Sequence, residues 1–169
     1  GVKFQSGAMR ARFSPHDGQL YVSGLKGWQT SGAKDGCFQR IRFTGKPVRM
    51  PTALNIHTNG IRIMFSEKLD RELAEDLDSW QLERWNYRWA GQYGSKDWSV
   101  ADPNKQGRDK LAVGSARLLP GDQGVFLEVA DMQKVMQMVI SYDLEDTDGE
   151  EIIGAIYNTV HTMAPAFKP

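Results

Sequence analysis

Apolar and polar residues alternate at a spacing of two through most of the chain, in short runs separated by glycine, proline and acidic turns, the pattern of half-buried β-strands. The sharpest run is Asn59 to Asp70, NGIRIMFSEKLD, in which Ile61, Ile63 and Phe65 alternate with Arg62, Met64 and Ser66 before a polar corner. Nearer the start, RARFS at 10–14 and QLYVSG at 19–24 flank Pro15-His16-Asp17-Gly18. Asp-Gly between two alternating runs predicts a tight hairpin. A glycine-rich loop from Gly27 to Gly36 then leads into CFQRIRF at 37–43, with Phe38, Arg40 and Arg42 on one side and Gln39, Ile41 and Phe43 on the other. Thr44-Gly45-Lys46-Pro47 ends that run. Three such strands cannot bury both faces alone, so this piece is expected to dock on something else.

Beyond it, TALNIHT at 52–58 and GIRIMFS at 60–66 are joined by Asn59-Gly60. That pair predicts a type I′ hairpin turn, or one bent strand passing through a glycine bulge. RELAEDL at 71–77 predicts one or two helical turns, with Glu67 and Asp70 placed to cap them. Further strands are expected over SWQLERWNYRW at 79–89, LAVGSARLL at 111–119, VFLEV at 125–129, MVISYDL at 138–144 and Ile156 to His161, with Asp131 to Gln137 a short helical crossover. The fold class that follows is all-β: an N-terminal three-stranded β-meander over 1–50, then an Ig-like Greek-key β-sandwich over 51–169.

Composition narrows the function classes. The 21 basic residues balance the 21 acidic ones, so no general field steers nucleic acid or an anionic membrane toward the chain, and binding must be local. Cys37 is the only cysteine, which excludes an internal disulfide, a thiolate zinc cluster and a Cys-x-x-Cys-His haem attachment. It is expected to be a buried thiol. No apolar run approaches the roughly 20 residues that span a bilayer, so no direct membrane insertion is expected. An isolated glycine ahead of an already patterned segment suggests a piece of a longer parent that carries any export signal elsewhere.

RFSPHDGQLYVSGLKGWQ, followed by GCFQRIRFTGKP, resembles the last blade of a glucose/sorbosone-dehydrogenase-type β-propeller. Such a blade carries a Phe-x-Pro-x-Asp-Gly-x-Leu-Tyr-Val hairpin and then a strand with Arg-Ile-x-Phe-x-Gly. The run from Asn59 to Asp70 is similar to the first core strand of bacterial Ig-like modules, with its Phe-Ser-Glu corner. Together the two resemble a group of large secreted multidomain bacterial proteins that also carry c-type cytochrome segments. The resemblance implies a secreted or periplasmic location and neighbouring domains of the parent chain as partners. The family's catalytic loops would lie mostly on blades that this chain does not contain, so no active-site residue carries over and no cofactor is expected.

The densest candidate site is Trp85, Tyr87, Trp89, Tyr93 and Trp98, with Gly91 and Gly94 between them. Aromatic faces stack on the apolar faces of sugar rings, and glycines let a loop present them closely. The competing reading places Trp85, Tyr87 and Trp89, two apart on a strand, on one buried face. Asp102, Asn104 and Asp109 lie in a segment with oxygen side chains at alternate positions and a glycine sixth, like the opening of a calcium loop, but Val113 stands where the closing bidentate carboxylate is needed. The acids from Asp143 to Glu151 read as a solvated hairpin tip around Gly149, and His16, His57 and His161 lack ligand spacing. The leading expectation is a non-catalytic structural or interaction module. The alternatives are a polysaccharide-binding module using the aromatic cluster and a fragment of a sugar-oxidising propeller.

Overall fold

The computed structural model describes residues 3–27, 32 and 34–168, and the chain divides into two compact units, Gly1–Pro47 and Val48–Pro169. The N-terminal unit is an antiparallel meander of β1 (Gly7–Phe13), β2 (Leu20–Leu25) and β3 (Gly36–Ile41), in that spatial order. The Asp17-Gly18 hairpin forms as expected. Gly18 takes a φ of +66° and donates to the Ser14 carbonyl at 2.9 Å, while Asp17 Oδ1 accepts from the Gln19 N–H at 3.1 Å. Half of the predicted 27–36 loop, residues 28–31 and 33, lies outside the described residues. Cys37 on β3 is half-buried rather than buried, and its sulfur accepts from the Ser6 hydroxyl at 2.8 Å.

The C-terminal unit is also all-β and sandwich-like. One antiparallel sheet contains β4 (Pro51–His57), β5 (Gly60–Phe65), β8 (Ser115–Leu118) and β9 (Gly124–Glu128), in the order β4-β5-β9-β8. The other contains β6 (Trp80–Trp85), β7 (Asp109–Leu111), β10 (Val135–Glu145) and β11 (Glu151–Val160), in the order β11-β10-β6-β7. One apolar cluster draws on both: Ile61, Ile63, Val125 and Leu127 from the first, Leu82, Met138, Ile140 and Leu144 from the second. Each of these side chains is almost wholly buried, which favours folding by roughly 2 kcal/mol apiece before entropy is counted. A short helix, α1 (Arg71–Glu75), is capped by Asp70, whose Oδ1 accepts from the Leu73 N–H at 3.0 Å. No helix among the described residues is long and apolar enough to cross a membrane.

Five local expectations change. The β4–β5 turn is centred on Thr58-Asn59, because His57 pairs with Gly60; Asn59 has no positive φ, so the turn is not type I′. Gly60 is needed for another reason: a Cβ there would overlap the Leu127 carbonyl oxygen of the neighbouring strand. The run 111–119 is two strands, β7 pairing with β6 and β8 pairing with β9, so the chain changes sheets at 112–114. Residues 131–137 are not helical, since β10 begins at Val135 and Asp131 receives the Arg84 guanidinium instead of capping a helix. The strand starting near residue 80 stops at Trp85. The acidic hairpin tip between β10 and β11 is not wholly solvated: Asp146 is buried and accepts from Arg49 Nε at 2.6 Å.

Residues 164–167 are tied down. Ala164 bridges His57 in parallel, and Asn59 exchanges hydrogen bonds of 2.8 and 2.9 Å with the backbone of Phe167. Phe167 packs against Phe126 and His57.

Candidate functional site

At Trp85 the chain leaves the sheet for a loop spanning 87–97. The Asn86 carboxamide, rather than a backbone carbonyl, receives the Met136 N–H at 2.9 Å, which ends the β6–β10 ladder. Asn86 and Trp98 close the neck of the loop by exchanging two backbone hydrogen bonds of 2.8 Å. Trp98 also bridges Gln106, so the 99–105 turn hangs from the same neck.

Two arginines lock this neck. The Arg88 guanidinium lies 3.9 Å from the Trp98 ring centroid, donates to the Pro103 carbonyl, and reaches Asn104 Oδ1 at 3.4 Å. Its backbone N–H donates to Ser95 Oγ at 3.0 Å. The Arg108 guanidinium lies 3.8 Å from the Trp85 ring centroid while its Nε donates to Asp97 Oδ2 at 2.7 Å. The hydrogen bond to Asp97, with Glu83 nearby, raises Arg108 above its ordinary value, so the charge over the ring is permanent.

These contacts split the five aromatics. Trp85 is buried beneath Arg108, and Trp98 is half-buried with Arg88 on one face. Tyr87 is about half exposed, whereas Trp89, at 99% exposure, and Tyr93 stand free. Because β6 ends at Trp85, residues 85, 87 and 89 do not form one buried strand face. The three open rings surround a depression of about 690 Å³ that Arg88, Gln92 and Met136 also line. Its lining contains no carboxylate, imidazole or thiol. The arrangement offers flat apolar faces with a guanidinium and an amide at the rim, which suits stacking and hydrogen bonding more than proton transfer. The locking arginines escaped the sequence reading, although Arg88 is interleaved with the aromatics and Arg108 follows them closely.

The 102–109 segment uses its oxygens internally. Asp102 Oδ1 accepts from the Asn104 N–H at 3.0 Å, Asn104 Oδ1 faces Arg88, and Asp109 Oδ2 accepts from the Val100 and Ala101 N–H groups at 2.7 and 2.8 Å. Burial pushes Asp109 up, but hydrogen bonds from Ser99, Ala101 and Val100 outweigh it and hold the carboxyl below its ordinary range. Among the described residues, no group of three or more His, Cys, Asp or Glu side chains is placed to hold a metal. The histidines are scattered: His57 Nδ1 lies 2.8 Å from the Pro165 carbonyl, in the C-terminal tie.

No family model, curated protein or solved structure matches the chain.

Proposed function

We propose that the chain is a non-catalytic interaction module of a larger secreted protein, and that its 87–95 loop binds polysaccharide. The observation that carries this reading is the exposure of Trp89 and Tyr93 on a loop whose neck is held by two cation–π contacts. Large rings kept wholly in water cost hydrophobic free energy that only a ligand or partner recovers. A rigid neck limits the ordering cost of binding. The lining supports holding a ligand rather than transforming it, since the rim has no carboxylate, imidazole or thiol. On this reading the C-terminal unit is an Ig-like Greek-key sandwich. In support, β4-β5-β9-β8 follows the A-B-E-D order of such sheets and β11-β10-β6-β7 follows G-F-C-C′. The N-terminal meander would be a propeller-type blade whose apolar reverse, with Phe13 and Ile41, docks on neighbouring domains of the parent.

Isothermal titration calorimetry of the protein against a panel of soluble neutral polysaccharides tests the loop. Binding by at least one member is expected, weakened about tenfold or more by Trp89→Ala or Tyr93→Ala. Absence of heat with every member would assign the loop to contact with a neighbouring domain instead.

A further inference from the structure

Overall neutrality conceals a division of charge. Residues 1–47 carry eight lysines and arginines against Asp17 and Asp35, a formal charge of +6; residues 48–169 carry thirteen against nineteen acids, or −6. Three of the N-terminal arginines share one face of the meander. Its register places Arg12, Tyr21 and Arg40 in one row across the strands and Arg10, Ser23 and Phe38 in the next, and residues directly opposite in an antiparallel sheet point the same way. That face is open, with Arg10, Arg12, Phe38 and Arg40 exposed, while Val22 on the reverse is buried. The Tyr21 and Phe38 rings stack with centroids 5.6 Å apart, beside a depression of about 350 Å³ between β1 and the rings.

The guanidiniums on this face are little neutralised: Asp17 acts on Arg40 through space without closing an ion pair. Arg10 and Arg12 donate to the adjacent carbonyls of Met9 and Ala11, and none of the three arginines forms an ion pair among the described residues. Asp17, at the hairpin of the same unit, is engaged by the Gln19 N–H and the Tyr21 hydroxyl. Arg10 and Arg12 stand two apart on β1 and Arg40 shares the row of Arg12 two strands away, so positive charge gathers on one face and a polyanion laid across it would turn mutual repulsion into attraction.

We propose that this face binds an acidic polysaccharide. The guanidiniums of Arg10, Arg12 and Arg40 pair with carboxylates or sulfates along the polymer, and the Phe38 ring receives the apolar face of one sugar. The ratio of charge to open rings favours this occupant over single-stranded nucleic acid. Phe38, 73% exposed, is the open ring of this face: Tyr21 is half-buried in the stack, and Phe13, equally exposed at the rim of the depression, alternates to the reverse of β1. Nucleic-acid surfaces instead supply successive platforms for a polymer that alternates one phosphate with one base. Guanidinium forks match carboxylate and sulfate geometry. The site lies on the N-terminal unit and stands apart from the reading of the 87–95 loop.

Titration of the full chain with alginate oligomers, a neutral glucan and a single-stranded oligonucleotide, each at low and high salt, tests the assignment. Alginate is expected to bind with an affinity that falls as salt rises. Arg12→Glu with Arg40→Glu should weaken it at least tenfold, and Phe38→Ala by a smaller factor. Trp89→Ala, which disables the other loop, should leave the salt-sensitive binding in place. Arg12→Gln with Arg40→Gln carries the same test if charge reversal disturbs the meander. No alginate binding at low salt would overturn the proposal, as would an affinity indifferent to both double variants. An oligonucleotide that binds more tightly and displaces alginate would assign the face to nucleic acid.

Discussion

The Arg108 guanidinium lies 3.8 Å from the centroid of the Trp85 ring, and Asp97 fixes it there through a 2.7 Å hydrogen bond. The tryptophan at the end of β6 is therefore roofed by a cation. Arg108→Ala should remove the roof, increase acrylamide quenching of tryptophan fluorescence, and destabilise the fold by about 1 kcal/mol, the size of a partly exposed cation–π contact. Arg108→Lys should recover only part of the loss, because a compact ammonium does not cover the ring as a planar guanidinium does. Quenching unchanged in Arg108→Ala would contradict the capped geometry.

Arg84 is buried and its partner Asp131 is mostly exposed, with the guanidinium donating to both the carbonyl and the carboxylate of Asp131. Turned with its oxygen inward, the Gln133 carboxamide accepts from both Nη atoms at 3.1 Å. Removing the carboxylate takes the ion pair from a buried cation, leaving it only the Asp131 carbonyl, Gln133 and the field of Asp109, whereas replacing the arginine removes the need for a partner. Asp131→Ala is therefore expected to cost about 2 kcal/mol in urea denaturation, and Arg84→Met clearly less. Equal losses in the two variants would show that Arg84 contributes by packing alone.

Much of the β-architecture was legible because its signals are local. Asp17-Gly18 marks a hairpin, and the alternation of Ile61, Ile63 and Phe65 marks a strand with one inward face. The sheet change at 112–114 was hidden because Leu111 and Leu118 face the same apolar cluster from different sheets, leaving the apolar pattern looking continuous. Asp131 resembled a helix start until tertiary structure gave its carboxylate to Arg84. The aromatic cluster was visible as composition, but which rings are free depends on where Arg88 and Arg108 fold back. The basic face of the meander was obscured by the balanced charge of the whole chain.

Gly60 gives a steric test of the sheet. It pairs with His57 on one side and Glu128 on the other, has a φ of +156°, and its missing Cβ leaves room for the Leu127 carbonyl oxygen and the Phe126 ring. Gly60→Ala forces backbone apart where β5 meets β9, and a loss of roughly 2–4 kcal/mol is expected, as for other core-strain substitutions. Gly149→Ala is the control: its φ is +78°, but nothing lies near the added methyl. A thermal midpoint that falls equally in both variants would assign the Gly60 effect to dihedral strain rather than to the close approach.

Acid should unfold the C-terminal unit through particular carboxylates. The Glu150 N–H is the main influence that lowers Asp146; burial opposes it, and Arg49 and the Asp148 N–H reinforce it, leaving the carboxyl below the ordinary 3.8. Asp109 is likewise lowered, its hydrogen bonds outweighing burial. A carboxyl with a folded pKa below its unfolded one binds protons more readily after unfolding, so its ionised form stabilises the fold. That contribution is complete above the unfolded value and is lost as pH falls through the folded value. Urea midpoints should therefore hold steady above about pH 5 and decline steadily toward about pH 2. Asp146→Asn should lower the midpoint at neutral pH and flatten the decline, because the amide no longer ionises and Arg49 loses its partner. Retention of the full acid slope in Asp146→Asn would shift the linkage to Asp109, where Asp109→Asn should then remove it.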